Sequence, residues 1–138
     1  MRGKEIKMKI LVGYDGSKPA KEALRLAKEH ANAFNAETVY VLNALEADAT
    51  GRPGTLEKAE QDLAYAEVFL KDGNFTTETK LLTQGLSPGE GLVEFAKENG
   101  IDEILIGIVR TSKVGKLVFG STAQYVILKA PCPVVTVK

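Results

Sequence analysis

A chain of 138 residues is sized for one domain with a core of its own. Its 18 basic side chains are balanced by 18 acidic ones, which excludes a surface steered as a whole toward nucleic acid or anionic membrane, and the single cysteine, Cys132, excludes an internal disulfide. Met1-Arg2-Gly3-Lys4-Glu5-Ile6-Lys7 carries no apolar stretch of leader length and no run approaches a membrane span, so a soluble cytoplasmic protein is expected, with neither nucleic acid nor membrane as partner.

Ile6 to Tyr14 contains Met8, Ile10, Leu11 and Val12, the near-continuous apolar run of a strand buried on both faces. The turn Gly13-Tyr14-Asp15-Gly16-Ser17 follows. Ser17 is a natural N-cap and Pro19 falls in the first turn of a helix whose apolar positions are Ala20, Ala23, Leu24, Ala27, Ala31 and Phe34. Thr38 to Leu42, β-branched and aromatic, reads as a second strand. Asn43 to Thr55, with Gly51, Pro53 and Gly54, reads as a mobile loop. Leu56, Ala59, Leu63, Ala66 and Leu70 recur at helical spacing, with Gly73 placed as C-cap, and Phe75 to Leu82 is the third strand. Ser87-Pro88-Gly89-Glu90 has the serine and glutamate of a capping box, and its helix carries Leu92, Val93, Phe95 and Ala96 before ending at Asn99-Gly100. Ile104 to Ile108 is the fourth strand. A basic loop with Arg110, Lys113, Gly115 and Lys116 leads to Gly120-Ser121-Thr122, which opens a last helix presenting Val126, Ile127 and Ala130. Pro131 stops it, and Pro133 to Val137 is a short, proline-flanked fifth strand of the edge kind.

Strands alternating with helices predict a single α/β domain over residues 1–138: a doubly wound, open five-stranded parallel sheet with helices on both faces. In the order 3-2-1-4-5 the winding reverses between strands one and four, and ligands in such sheets bind beyond the carboxyl ends of the strands at the reversal. Those ends are Gly13-Tyr14-Asp15 and Gly107 to Arg110, so both face one crevice. Strand, glycine-containing loop and helix start together make an anion site, because the first helical N–H groups have no intrahelical partner.

The familiar nucleotide signatures fail. Gly115-Lys116 resembles the end of a Walker A loop, but Arg110 stands where glycine is needed and Leu117 where a magnesium-holding hydroxyl belongs. Gly89-Glu90-Gly91 is followed by Glu94 in place of a third glycine, so there is no dinucleotide fingerprint. His30 has no second histidine to join in a metal site or a catalytic pair, and Cys132 reads as a packing residue. Asp102-Glu103, ahead of the fourth strand and opposite the crevice, reads as solvated. Asp15 is either a turn-former or a ligand contact, and Ser121 either an N-cap or a ligand contact.

The opening Ile-Leu-Val-Gly-Tyr-Asp-Gly-Ser (10–17), the spacing from Gly107 to Gly120-Ser121 and the ending Ala-Pro-Cys-Pro-Val-Val-Thr-Val (130–137) closely resemble the universal stress protein family, over essentially the whole chain. One branch of that family binds ATP through glycine, two residues, glycine, nine residues, then glycine with serine or threonine. The other branch, resembling the founding bacterial stress protein, lacks the pattern. Here Gly107 and Gly120-Ser121 match and Arg110 replaces the middle glycine. If position 110 needs a positive φ, arginine there is strained by roughly 1 kcal/mol or more. Conversely, its guanidinium can hold phosphate oxygens bidentately.

The resemblance implies an adenine nucleotide, ATP or else ADP or AMP, with Mg or Mn held through the phosphates and no protein metal site. It implies backbone contacts to the base from Gly13, Tyr14 and Ala44, and Asp15 near the ribose or a phosphate-bound metal. Gly107, Gly120, Ser121 and Thr122 would hold ribose and phosphates, with Arg110 beside them. No catalytic residue is expected, at most slow hydrolysis, and a homodimer through the C-terminal edge strand is implied. Two other readings stand: a family member that works by dimerisation and protein contacts without nucleotide, and an α/β enzyme of nucleotide hydrolysis or nucleotidyl transfer.

Overall fold

The computed structural model describes residues 7–46, 48–83, 86–108, 110–111, 115 and 117–138, with backbone alone at Arg110, Thr111, Leu117 and Val118. The main sheet has five parallel strands. In chain order the elements are β1 (Lys9–Gly13), α1 (Lys18–Ala33), β2 (Thr38–Ala44), a 3-10 turn (Ala49–Gly51), α2 (Thr55–Leu70), β3 (Thr76–Leu82), α3 (Pro88–Asn99) and β4 (Glu103–Gly107). The short strands β5 (Arg110–Thr111) and β6 (Leu117–Val118) follow, then α4 (Ser121–Lys129) and β7 (Val134–Val137). The sheet order is β3-β2-β1-β4-β7, which is the expected 3-2-1-4-5 with β7 as fifth strand. The register sets Lys9 against Thr38, Ile10 against Glu103, Thr38 against Thr76 and Ile104 against Val134.

β1 is central because consecutive residues of its apolar run serve opposite faces. Ile10, Val12 and Tyr14 join Val39, Val41 and the inner faces of α1 and α2 in one core cluster. Leu11 and Leu42 join Ile104, Ile106 and the inner faces of α3 and α4 in the other. Each fully buried Ile, Leu or Val contributes roughly 2 kcal/mol of transfer free energy. α1 buries a stripe of Ala20, Ala23, Leu24, Ala27 and Ala31, whose small side chains let the helix lie close to the sheet. Phe34, read from periodicity as the end of that stripe, is the C-cap and is exposed. Ile127 also lies on an exposed face of its helix.

Three local readings change. β2 runs through Asn43 and Ala44, and Ala49 in the following 3-10 turn is buried, so the segment beginning at Asn43 is not all loop. Gly73 does not cap α2, whose C-cap is Lys71. A Cβ on Gly73 would come within 2.1 Å of the Phe75 ring, so glycine there makes room for that ring. Residues 110–118 also contain an antiparallel pairing, Arg110 with Val118 and Thr111 with Leu117, too short to leave a periodic trace in sequence.

The expectation that Glu103 is solvated is overturned. It is the first residue of β4, only 8% exposed, and its Oε1 lies 2.8 Å from His30 Nδ1 on α1. A buried carboxylate needs a partner, and the chain's one histidine supplies it. Its neighbour Asp102 accepts the Lys9 amide at 2.8 Å, tying the start of β1 to the start of β4. Burial, then the charges of Asp102 and Glu103, push the Cys132 thiol above its ordinary value, as suits a packing residue with little thiolate.

The capping box before α3 is complete. Glu90 N–H donates to Ser87 Oγ at 3.3 Å, and Ser87 N–H donates to Glu90 Oε1 at 3.0 Å. Those bonds hold the Glu90 carboxyl below its ordinary pKa, so its share of stability is present above the unfolded value and is lost as pH falls through the lowered one. Ser87→Ala is expected to cost about 1 kcal/mol, read as a lower urea midpoint with unchanged slope. An unmoved midpoint would mean that α3 is held by packing alone.

Candidate functional site

At the carboxyl ends of β1, β2 and β4 lies a crevice of about 270 Å³. Its walls come from the β1 turn (Gly13, Tyr14, Asp15, Ser17), the end of β2 (Leu42, Asn43, Ala44), the end of β4 (Ile106, Gly107) and the start of α4 (Gly120, Ser121, Thr122, Ala123), closed by Ala20, Pro88 and Leu92. Of the residues singled out from sequence, Gly13, Tyr14, Asp15, Ala44, Gly107, Gly120, Ser121 and Thr122 meet here. Arg110 is described by its backbone in β5, and its side chain lies outside the described atoms, as do Lys113 and Lys116. Sequence reading missed Asn43, which is buried, and the apolar walls Leu92 and Ile106. Ser17 and Pro88 were read only as helix-start residues, though each start opens onto the crevice.

Three helices begin at this crevice, and the state of their first N–H groups differs. α1 is capped by Ser17, whose Oγ accepts from Ala20 N at 3.3 Å, and α3 by its capping box. α4 has Gly120 at the N-cap, with no side-chain hydrogen bond to its first turn. Its first intrahelical bond to the cap runs from Gln124 N to Gly120 O at 3.0 Å. The amides of Ser121, Thr122 and Ala123 therefore precede the helical ladder, and the helix dipole adds positive potential there. Ser121 is the first residue of α4 and not its N-cap, so its hydroxyl is not committed to capping.

The glycines differ as well. A Cβ on Gly107 would sit 2.7 Å from Pro19 C and 2.8 Å from Ala20 N, so glycine is needed there to seat α1 against β4. Gly120 has φ −65°, open to any residue, and a Cβ there would meet nothing within 4 Å among the described residues. Folding does not require glycine at 120. Position 110 makes no such demand either: Arg110 is paired in extended conformation with Val118, and Asn35 is the one non-glycine residue with positive φ among those described.

Backbone polarity converges on the other end of the crevice. The β1–β2 ladder finishes with Gly13 opposite Leu42, where Tyr14 N donates to Leu42 O at 2.8 Å. β2 continues two residues further. Asn43 and Leu45 turn their backbone groups toward β3, as the bond from Leu45 N to Leu82 O at 2.9 Å requires. Ala44 therefore turns its N–H and C=O to the side where β1 has already ended. The Tyr14 amide is consumed by Leu42, and its side chain turns away into the core. Asp15 Oδ1 accepts from Ser17 N at 2.9 Å, a turn bond that commits one carboxylate oxygen.

A sequence model of the universal stress protein family matches residues 8–138. The chain belongs to the universal stress protein family. It is 36% identical over 135 residues to a universal stress protein of Thermus aquaticus, covering 94% of this chain and 97% of that one. Among solved structures it is similar to a universal stress protein from Archaeoglobus fulgidus, at 36% identity and a TM-score of 0.84, covering 96% of this chain and all of that one (100%). A structure of the universal stress protein from Archaeoglobus fulgidus in complex with dAMP is 32% identical, with a TM-score of 0.79, covering 97% of this chain and 100% of that one. The five-stranded α/β fold is that of the universal stress proteins, and no helix among the described residues here is long and apolar enough to cross a membrane.

Proposed function

We propose that this universal stress protein binds an adenine nucleotide in the crevice between β1 and β4 and works as a nucleotide-dependent switch in the cytoplasm, not as a catalyst. The single observation that carries the reading is the start of α4, the one helix start at the crevice left without a side-chain cap, with no described residue where the Gly120 side chain would be. A phosphate there takes the amides of Ser121, Thr122 and Ala123. Gly107 approaches the ribose, Asp15 turns its uncommitted oxygen toward ribose or a phosphate-bound Mg or Mn, and Arg110 adds charge from β5. Ala44 offers a donor and an acceptor to the base edge, beside Gly13. The dAMP complex of the related archaeal protein supports an adenine nucleotide, with ATP, ADP and AMP all candidates. A binding role is supported by the chain's one histidine, which is engaged by Glu103 at the amino end of β4, away from the Ser121 and Thr122 hydroxyls.

A second reading rests on β7. This strand is the sheet edge, with its outer backbone groups unpaired by the sheet, and Leu128 on the preceding helix is 72% exposed. Pairing with a two-fold copy would satisfy that edge and cover such surface. Dimerisation is part of the first reading, and without nucleotide it becomes the whole function, through client contacts. The test is to denature purified protein, identify any released nucleotide, then titrate the emptied protein with AMP, ADP and ATP plus magnesium by calorimetry, with sedimentation velocity alongside. Saturable heat from an adenine nucleotide is expected. A folded dimer that releases and binds none supports the second reading, and steady phosphate or pyrophosphate release above an inactivated control would revive the enzyme.

A further inference from the structure

The edge of the sheet opposite β7 is β3, which runs from Thr76 to Leu82 with only β2 beside it among the described residues. Thr76 N donates to Glu37 O at 3.0 Å, and Leu45 N donates to Leu82 O at 2.9 Å, so Thr76 and Leu82 turn backbone groups toward β2. That direction alternates along a strand. Glu78 and Lys80 therefore also serve β2 with their backbones, while Thr77, Thr79 and Leu81 present N–H and C=O groups to the open side. The seven residues pair with β2 one to one, without proline or bulge, which makes a regular edge able to accept another strand. Natural edges are guarded by charge, and here the guards are Glu78 and Lys80, both exposed. They share the face of β3 that carries Leu82, and a groove of about 320 Å³ between β3 and α3 leaves that face uncovered. Glu78 has no ion-pair partner among the described residues, and Lys80 has only the Phe95 ring, its Nζ 5.9 Å from the centroid.

Opposite charges two positions apart repel most strands and suit one. When a second copy lies antiparallel against β3 about a two-fold axis at Thr79, Thr79 faces its own copy, Thr77 faces Leu81, and Glu78 faces Lys80. Each outward N–H then meets an outward C=O, and symmetry forms the Glu78–Lys80 pair twice, at the distance of directly opposed residues. Thr79 is also the midpoint of β3, so the register that matches the charges is the one in which all seven residues are paired. Moving the axis by one residue sets Glu78 against Glu78 or Lys80 against Lys80. Moving it by two leaves both charges opposite uncharged residues and the strand ends unpaired. We propose that β3 is a self-association edge, at which two copies join antiparallel about Thr79 into one continuous sheet, with Glu78 and Lys80 fixing the register. This is independent of the nucleotide reading. Because β3 and β7 are opposite edges, pairing at β3 leaves β7 free, and copies using both edges would link into an open string.

The test is sedimentation velocity over a concentration series on the full-length protein and its charge variants. Glu78→Lys and Lys80→Glu each set like charges opposite one another in this register, and each is expected to weaken one association step about tenfold or more. An equimolar mixture of the two is expected to restore that step, because every charge of one variant then faces its opposite on the other. The double variant with both changes keeps the parent's net charge and the alternation of sign, and is expected to associate as the parent does. A step that all the variants share unchanged belongs to another surface, such as β7. Thr79→Pro removes an outward N–H while sparing the bonds to β2, and is expected to abolish the same step as the single charge variants. It decides the matter if a charge variant loses its folded circular-dichroism signal. A parent with no association step sensitive to these positions overturns the proposal, as does a mixture that associates no better than the single variants.

Discussion

Gly120→Asp is expected to make the protein slightly more stable while removing its hold on nucleotide. The N-cap of α4 is a glycine with φ −65°, and a Cβ there meets none of the described residues, so the new side chain fits without displacing any of them. Aspartate there accepts from the amides of Thr122 or Ala123, as a capping residue does, and sits favourably against the helix dipole. Together these gains come to a few tenths of a kcal/mol up to about 1 kcal/mol. The same carboxylate occupies the place proposed for the phosphate and repels it. Like charges set against each other at an interface cost several kcal/mol, so affinity should fall by about a hundredfold or more. Gly120→Val separates bulk from charge: it should also abolish binding, with the fold largely kept. Thermal melts and calorimetry on the same samples check the pair of effects. Undiminished affinity in the aspartate variant would remove the start of α4 from the site, and a large loss of stability would mean that the open space at Gly120 is needed by the fold.

Gly107→Ala carries the opposite expectation. Its new methyl meets the backbone of Pro19 and Ala20 at 2.7 and 2.8 Å, and backbone cannot rotate out of the way as a side-chain tip can. Either α1 lifts off β4 or the end of the strand bends, at about 1–3 kcal/mol, which for a domain of this size lowers Tm by several degrees. Because α1 starts at Lys18, directly after Ser17, lifting it also disturbs the Asp15–Ser17 turn, and nucleotide affinity should fall as a secondary effect. A melting point unchanged from the parent contradicts the packing account. The two matching glycines of the family pattern thus have different physical reasons: Gly107 is required by the packing of α1, and Gly120 leaves space for what the crevice holds.

Sequence distinguishes these two poorly, since both are glycines beside a strand or helix end, and only the position of Pro19 over Gly107 separates them. What sequence carries well is anything decided within a few residues. Ser17 and the Ser87–Glu90 pair could be read as caps because donor and acceptor lie three residues apart, and the apolar runs of β1 and β4 as buried strands because both faces are covered. Right-handed crossovers between such strands narrow the possible sheet orders to a few, of which 3-2-1-4-5 is the one observed. The crevice is legible to the extent that strand ends and a helix start define it, which is why Gly13, Asp15, Gly107 and Gly120 can be named from the residues, whereas Ala44 comes only from the family resemblance. What escaped needs partners distant in sequence. Glu103 reads as a surface acid until His30, 73 positions earlier, is brought against it. The need for glycine at 16 is likewise hidden, because the Asp62 carboxylate that any side chain there would meet is brought in only by the packing of α2. The β5–β6 pairing has two residues a side, too few for any period to register.

The central position of β1 has a consequence for how the protein is made. β1 is synthesised well before β4, yet Lys9 contacts Asp102, and Leu11 lies against Ile104 in the register. A nascent chain emerging as far as β3 has the strands β1, β2 and β3 with α1 and α2 to cover one side. Leu11 and Leu42 on the other side wait for α3 and α4, whose inner residues extend to Val126. That side of the core therefore has no complete lining until α4 has left the ribosome, and until then the nascent domain carries a bare apolar sheet face of the kind that chaperones hold.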